Sequence, residues 1–151
     1  LNMNRIKMLS FVLPLMALLF SSCSLETDNE AGKLEGMWHL VRVETLATGT
    51  SEDLSNQVIF WSFQAKLLEL DDKTGMHNSY LYRFNIDNNQ LTLSSPHQFD
   101  RENGDRPLTA YEATLNLYGI KKLTPVFRIE KTGKRKMILN DGSVRLYFDK
   151  F

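Results

Sequence analysis

Across residues 79–95 the chain has little freedom to be anything but sheet. Tyr80, Tyr82, Phe84 and Ile86 alternate with Leu81, Arg83, Asn85 and Asp87. Successive side chains of a strand point to opposite faces, so a period of two marks a strand with one buried face. Asp87-Asn88-Asn89 supplies residues that tolerate a tight turn, and Leu91 and Leu93 resume the phase over residues 90–95.

The C-terminal third repeats the scheme. Phe127 and Ile129 alternate with Arg128 and Glu130, Lys131-Thr132-Gly133-Lys134 turns, and residues 137–139 return. Asn140-Asp141-Gly142 is a strong hairpin signal. Val144, Leu146 and Phe148 then alternate with Arg145, Tyr147 and Asp149. Earlier strands are expected at 37–46, 58–63 and 66–71, with Asp72-Lys73-Thr74-Gly75 as a turn. Tyr111, Ala113, Leu115 and Leu117 fit one more strand or a short helix, and residues 96–107 form the longest strand-free stretch. The result is an all-β antiparallel domain, closed as a barrel or packed as a sandwich; periodicity does not separate the two.

The N-terminal region is built differently. Residues 8–20 are apolar apart from Ser10 and Pro14, Arg5 and Lys7 precede them, and Ser21-Ser22 lead to Cys23, the only cysteine. A positive head, an apolar segment of roughly 7–15 residues and small residues before a cut make a signal peptide. A membrane-spanning helix needs about 20 apolar residues, so this run is too short for one. Leu19-Phe20-Ser21-Ser22-Cys23 resembles the lipobox of bacterial lipoproteins. That resemblance implies lipidation of Cys23, removal of residues 1–22, and a membrane partner reached through the anchor. It places the protein in the outer membrane of a Gram-negative envelope, facing the periplasm or the surface. Residues 23–33, with Glu26, Asp28 and Glu30, then read as an acidic polar tether. Such acids also resemble surface-export signals of some lipoproteins. Residues 34–151 form the domain.

Arg5 and Lys7 leave with the signal, so the remaining chain has two more acids than bases. No nucleic-acid partner is expected from that balance.

At the start of the domain, Gly36-Met37-Trp38 resembles the Gly-x-Trp signature of lipocalins and their calycin relatives. The far end of the chain agrees: Phe127-Arg128-Ile129-Glu130, Met137-Ile138-Leu139 and Leu146-Tyr147-Phe148 are similar to the final strands of small bacterial lipocalin-like lipoproteins of unknown function. The resemblance implies an eight-stranded, up-and-down lipocalin-like barrel closed at one end by Trp38. It also implies an arginine on that tryptophan, a place Arg145 would take.

Candidate chemistry is sparse. His39, His77 and His97 lie in separate segments without the short spacings of a zinc site, so no metal is expected. Asp100, Glu102 and Asp105 lie near Gly104 but lack the order of a calcium loop, and a charged loop fits better. No nucleophile elbow occurs, and no carboxylate pair is placed to converge. The chain therefore reads as a non-enzyme without cofactors. Lys131, Lys134, Arg135 and Lys136 share one hairpin, fit either to meet anionic headgroups or to remain solvated. The aromatic supply is the best lead to a ligand. Trp38, Phe60, Tyr80, Tyr82 and Phe84 are the candidates for contact with a small apolar or amphipathic molecule, if inward aromatics line a pocket rather than fill the barrel. In a filled barrel, the 96–107 loop or the 131–136 hairpin would instead contact a protein.

Overall fold

The computed structural model describes residues 32–151. The expected signal peptide, Cys23 and most of the tether lie outside the described residues. The described chain enters through a short 3-10 turn, Gly32–Leu34, and continues into β1 (Gly36–Thr45) and β2 (Thr50–Asp53). Next come β3 (Ile59–Gln64), β4 (Leu67–Asp72), β5 (Ser79–Asp87), β6 (Gln90–Phe99) and the two-residue β7 (Arg106–Pro107). A 3-10 helix, Ala113–Tyr118, precedes β8 (Val126–Thr132), β9 (Lys136–Asn140) and β10 (Val144–Lys150).

Hydrogen-bonded neighbours run β1, β3, β4, β5, β6, β8, β9, β10, and β10 pairs back onto β1 from Trp38↔Lys150 to Thr45↔Val144. The path returns to its start, so these strands form an antiparallel up-and-down barrel. β2 pairs with the second half of β1, and β7 with the end of β6.

The phase of each strand follows its sequence. Trp38 and Leu40, then Ile59, Trp61 and Phe63, then Tyr80, Tyr82 and Phe84 point into one apolar core, and Leu146 and Phe148 complete it from β10. Asn88 and Asn89 both adopt positive φ, at 48° and 59°, joining β5 to β6 by the two-residue turn that matches strand twist.

Three bulges interrupt the ladders. Val41 and Arg42 together oppose Tyr147, Ser95 and Pro96 oppose Tyr82, and Glu130 and Lys131 oppose Ile138. The second bulge explains why β6 is longer than its sequence indicates. Proline lacks the donor that a ladder needs, and a bulge is where that loss is tolerated. With Ser95 at φ 50°, the strand passes Pro96 and continues to Phe99, which shortens the expected 96–107 loop to residues 100–105.

β6 and β8 pair only from Gln90↔Arg128 to Thr92↔Val126. Beyond that point the chain crosses the barrel mouth as a strap, and residues 111–117, open between strand and helix, carry the 3-10 helix. Gly119 ends that helix at φ 79°, where its N–H donates to the Asn116 carbonyl. Leu108, Leu115, Tyr118 and Ile120 of the strap are buried in the barrel core.

Candidate binding site

The space inside the barrel is taken by side chains. Trp38, Trp61, Tyr80 and Tyr82 have no exposed surface at all, and Phe84 has 3%. A side chain bordering a water-sized void would present area to it, so these four border none. Trp61 packs edge-on against Phe127 and Phe148, at ring separations of 5.7 and 5.0 Å, and Phe63 meets Phe84 at 5.1 Å.

Phe60 requires a correction. It lies one residue out of phase with Ile59, Trp61 and Phe63, so it points away from the barrel interior. There it stacks on His39 at 5.0 Å and meets Phe151 edge-on at 5.3 Å.

Polar atoms of the barrel aromatics hold the strap. Trp61 Nε1 donates to the Tyr118 carbonyl at 3.1 Å, Tyr82 Oη to the Leu123 carbonyl at 2.9 Å, and Tyr118 Oη to the Asn78 carbonyl at 2.7 Å. Tyr80 Oη donates to Glu112 Oε2 at 3.0 Å, and Arg106 Nη2 to Glu112 Oε1 at 2.6 Å. The Arg106 bond holds the Glu112 carboxyl below its usual range, while burial pushes the hydroxyls of Tyr80, Tyr82 and Tyr118 upward. The three hydroxyls remain neutral donors at physiological pH, and each is already spent on holding the strap.

At the other end, Trp38 Nε1 donates to the Leu34 carbonyl at 2.9 Å. The cation over its ring is Lys150, with Nζ 4.4 Å from the centroid, and Lys150 also donates to the Glu35 carbonyl. Arg145 does not take that place. It shares the outward phase of Tyr147 and Asp149, and its Nε donates to Glu130 Oε2 at 2.8 Å.

The histidines stay apart. His39 donates to the Gln57 carbonyl, His97 to the Ser95 carbonyl, and His77 Nδ1 to the buried Asp72 at 2.6 Å. Burial raises the Asp72 pKa, but hydrogen bonds from His77 and Thr74 more than offset it and the net shift is downward. Asp72 thus closes the β4–β5 turn. Asp100 is likewise occupied by the backbone N–H groups of Glu102 and Asn103. Among the described residues no group of three or more His, Cys, Asp or Glu side chains comes together to hold a metal ion.

A concavity of about 520 Å³ lies instead on the outer face of β1, β10 and β9. Val41, Ile138 and Tyr147 form its floor, and Arg42, Lys131, Lys136, Asp53 and Asp149 stand around it. Two of the bulges border it, at Val41–Arg42 and at Glu130–Lys131. Bulges bend a strand and increase its twist, which curves this outer surface inward. Arg42 lies flat on Tyr147, its guanidinium carbon 3.6 Å from the ring centroid. The volume falls within the roughly 300–1,000 Å³ of sites for small molecules. Sequence reasoning missed this site because its walls come from residues nearly a hundred positions apart.

Comparison with known proteins agrees with the architecture. The family described as "Lipocalin-like domain" matches residues 18–151. The chain belongs to the lipocalin-like domain family. The crystal structure of a lipocalin-like protein from Bacteroides uniformis is similar over 80% of this chain and 100% of that one, with a TM-score of 0.60 and 20% identity. A protein from Bacteroides eggerthii is similar over 78% of this chain and 98% of that one, with a TM-score of 0.53 and 13% identity. At these identities the likeness shows the fold. No curated protein matches the chain. The lipocalin-like fold is in keeping with a non-enzymatic protein that binds a ligand.

Proposed function

We propose that this lipocalin-like protein is a non-enzymatic lipoprotein of the Gram-negative envelope, anchored through Cys23, that binds a small amphipathic molecule on its outer face. The observation that carries the reading is the concavity over Val41, Ile138 and Tyr147, set against an interior that the chain's own strap has filled. Its apolar floor suits an acyl or aromatic portion, and the rim offers both signs of charge to a polar head. The non-enzymatic part rests on the lipocalin-like fold.

Native mass spectrometry of the protein extracted from envelope membranes tests this reading. A bound small molecule is expected with the wild-type chain and is lost in Ile138→Asp, which places a charge on the floor without entering the core. Retention by the folded variant, or a wild-type chain that emerges empty, refutes the site. The filled interior also favours a second reading, a protein-interaction module using the same face. Crosslinking from position 138 separates the two by the mass of what is captured.

A further inference from the structure

The unpaired cations of the barrel are concentrated at one end, although the chain as a whole is neutral. Turns of an antiparallel meander alternate between the two ends, so a basic turn at one end is separated along the barrel axis from the nearly balanced loops at the other. At the end where the described chain enters, Lys33, Lys131, Lys134 and Arg135 are exposed and have no ion-pair partner among the described residues. Lys136 is paired with Asp149 at 2.5 Å, and Lys150 is engaged with Trp38 and Glu35. Glu35 and Asp87 are the other acids of this end. At the opposite end Asp72, Asp100, Glu102, Asp105, Glu112 and Asp141 are nearly balanced by Lys73, Arg101, Arg106, Lys121 and Lys122.

The tether meets the domain on the basic side. Gly32 and Lys33 line one surface depression with Asn89, Ile129 and Thr132, and Thr132 leads directly into the basic turn. From Cys23 to Gly32 the chain can span at most about 30 Å, at ~3.5 Å per residue. An acyl group on Cys23 therefore holds the entry end, with its basic turn, within about 30 Å of the bilayer.

We propose that the end bearing Lys33, Lys131, Lys134 and Arg135 is the membrane-facing surface of this protein and that these cations contact anionic phospholipid headgroups. The inference rests on the reading of Cys23 as an anchor. Charge complementarity supplies the second argument: a juxtamembrane cluster of unpaired cations is drawn to an anionic leaflet, and the attraction fades within a Debye length.

The test uses the full chain purified from membranes and reconstituted in vesicles of phosphatidylcholine, with or without phosphatidylglycerol. An amine-acylating reagent is applied, and peptide mass spectrometry follows Lys33, Lys131 and Lys134, with Lys73, Lys121 and Lys122 of the far end as the internal reference. Phosphatidylglycerol is expected to slow labelling of the first group several-fold relative to the second, and high salt or the surface variant K134E/R135E to abolish the difference. Equal labelling of both ends in both vesicles overturns the proposal. Protection that is the same with and without phosphatidylglycerol also overturns it, assigning the cations to the tether's Glu26, Asp28 and Glu30. The same peptide map reports acylation of Cys23: an unmodified peptide removes the anchor, while the labelling contrast decides the headgroup contact on its own.

Discussion

The Lys150 ammonium lies 4.4 Å from the centre of the Trp38 ring and donates to the Glu35 carbonyl, so the last residue of β10 fastens the first turn of the domain to the buried Trp38. Cation–aromatic contact contributes about 0.5–2 kcal/mol, and a hydrogen bond about 1 kcal/mol. Lys150→Met keeps most of the stem and removes both interactions. It is expected to lower unfolding free energy by about 1–2 kcal/mol in urea melts, whereas Arg145→Met leaves the Trp38 environment unchanged in fluorescence. A Lys150→Met variant as stable as wild type would remove this contact from the account.

The strap fills the barrel through Tyr118. Tyr118→Phe keeps the ring but loses the hydroxyl's bond to the Asn78 carbonyl, and is expected to cost about 1 kcal/mol. Tyr118→Ala is expected to cost about 3–5 kcal/mol, as for other large aromatic truncations. It also opens an apolar space beside Tyr80, whose ring centroid lies 6.0 Å from that of Tyr118. Engineered apolar cavities of this kind bind benzene. The variant is expected to take up a small aromatic probe, detected by calorimetry, and the wild-type chain is not. Uptake by both would mean that the interior already has room.

Gly119 ends the 3-10 helix where no other residue fits. A Cβ there would lie 2.6 Å from Leu146 Cδ2, on a backbone at φ 79°. Left-handed backbone costs a non-glycine residue about 1–2 kcal/mol, and overpacking a core about 1–3 kcal/mol. Gly119→Ala is therefore expected to destabilise by about 2–4 kcal/mol in thermal or urea melts. A loss below about 1 kcal/mol would show that β10 yields easily to the strap.

Much of this barrel was legible in the sequence because its strands bury one face. The alternation from Tyr80 to Asp87 set the inward phase, Asn88-Asn89 set the turn, and Gly36-Met37-Trp38 marked the start of the first strand. The same logic, carried one residue further, distinguishes Lys150 from Arg145: Lys150 shares the even phase of Leu146 and Phe148, and Arg145 does not. Phe60 was misplaced because Phe60 and Trp61 are adjacent and only one of them can point inward. What periodicity lacks is any record of bulges. Those at Val41–Arg42 and Glu130–Lys131 shape the outer concavity, and its walls meet only after the barrel closes. Whether inward aromatics fill the lumen was equally hidden, since that depends on the strap and not on any strand.

Acid stability should report the Glu130 network. Glu130 accepts hydrogen bonds from Arg145 Nε at 2.8 Å and Asn140 Nδ2 at 2.6 Å, and Arg145 foremost holds its pKa down to about 2, from an ordinary 4.5. A depressed folded pKa gives stability that is complete above the unfolded value and lost as pH falls through the folded one. The contribution is thus present at neutral pH, declines from about pH 4.5, and is gone near pH 2. The carboxylate lies at a partly exposed surface, where ion pairs contribute little, so its size is about 1 kcal/mol. Glu130→Gln is expected to melt earlier than wild type at pH 7, with the two curves converging toward pH 2. A gap that stays constant across that window would assign the loss to the uncharged hydrogen bonds and not to the carboxylate's ionisation.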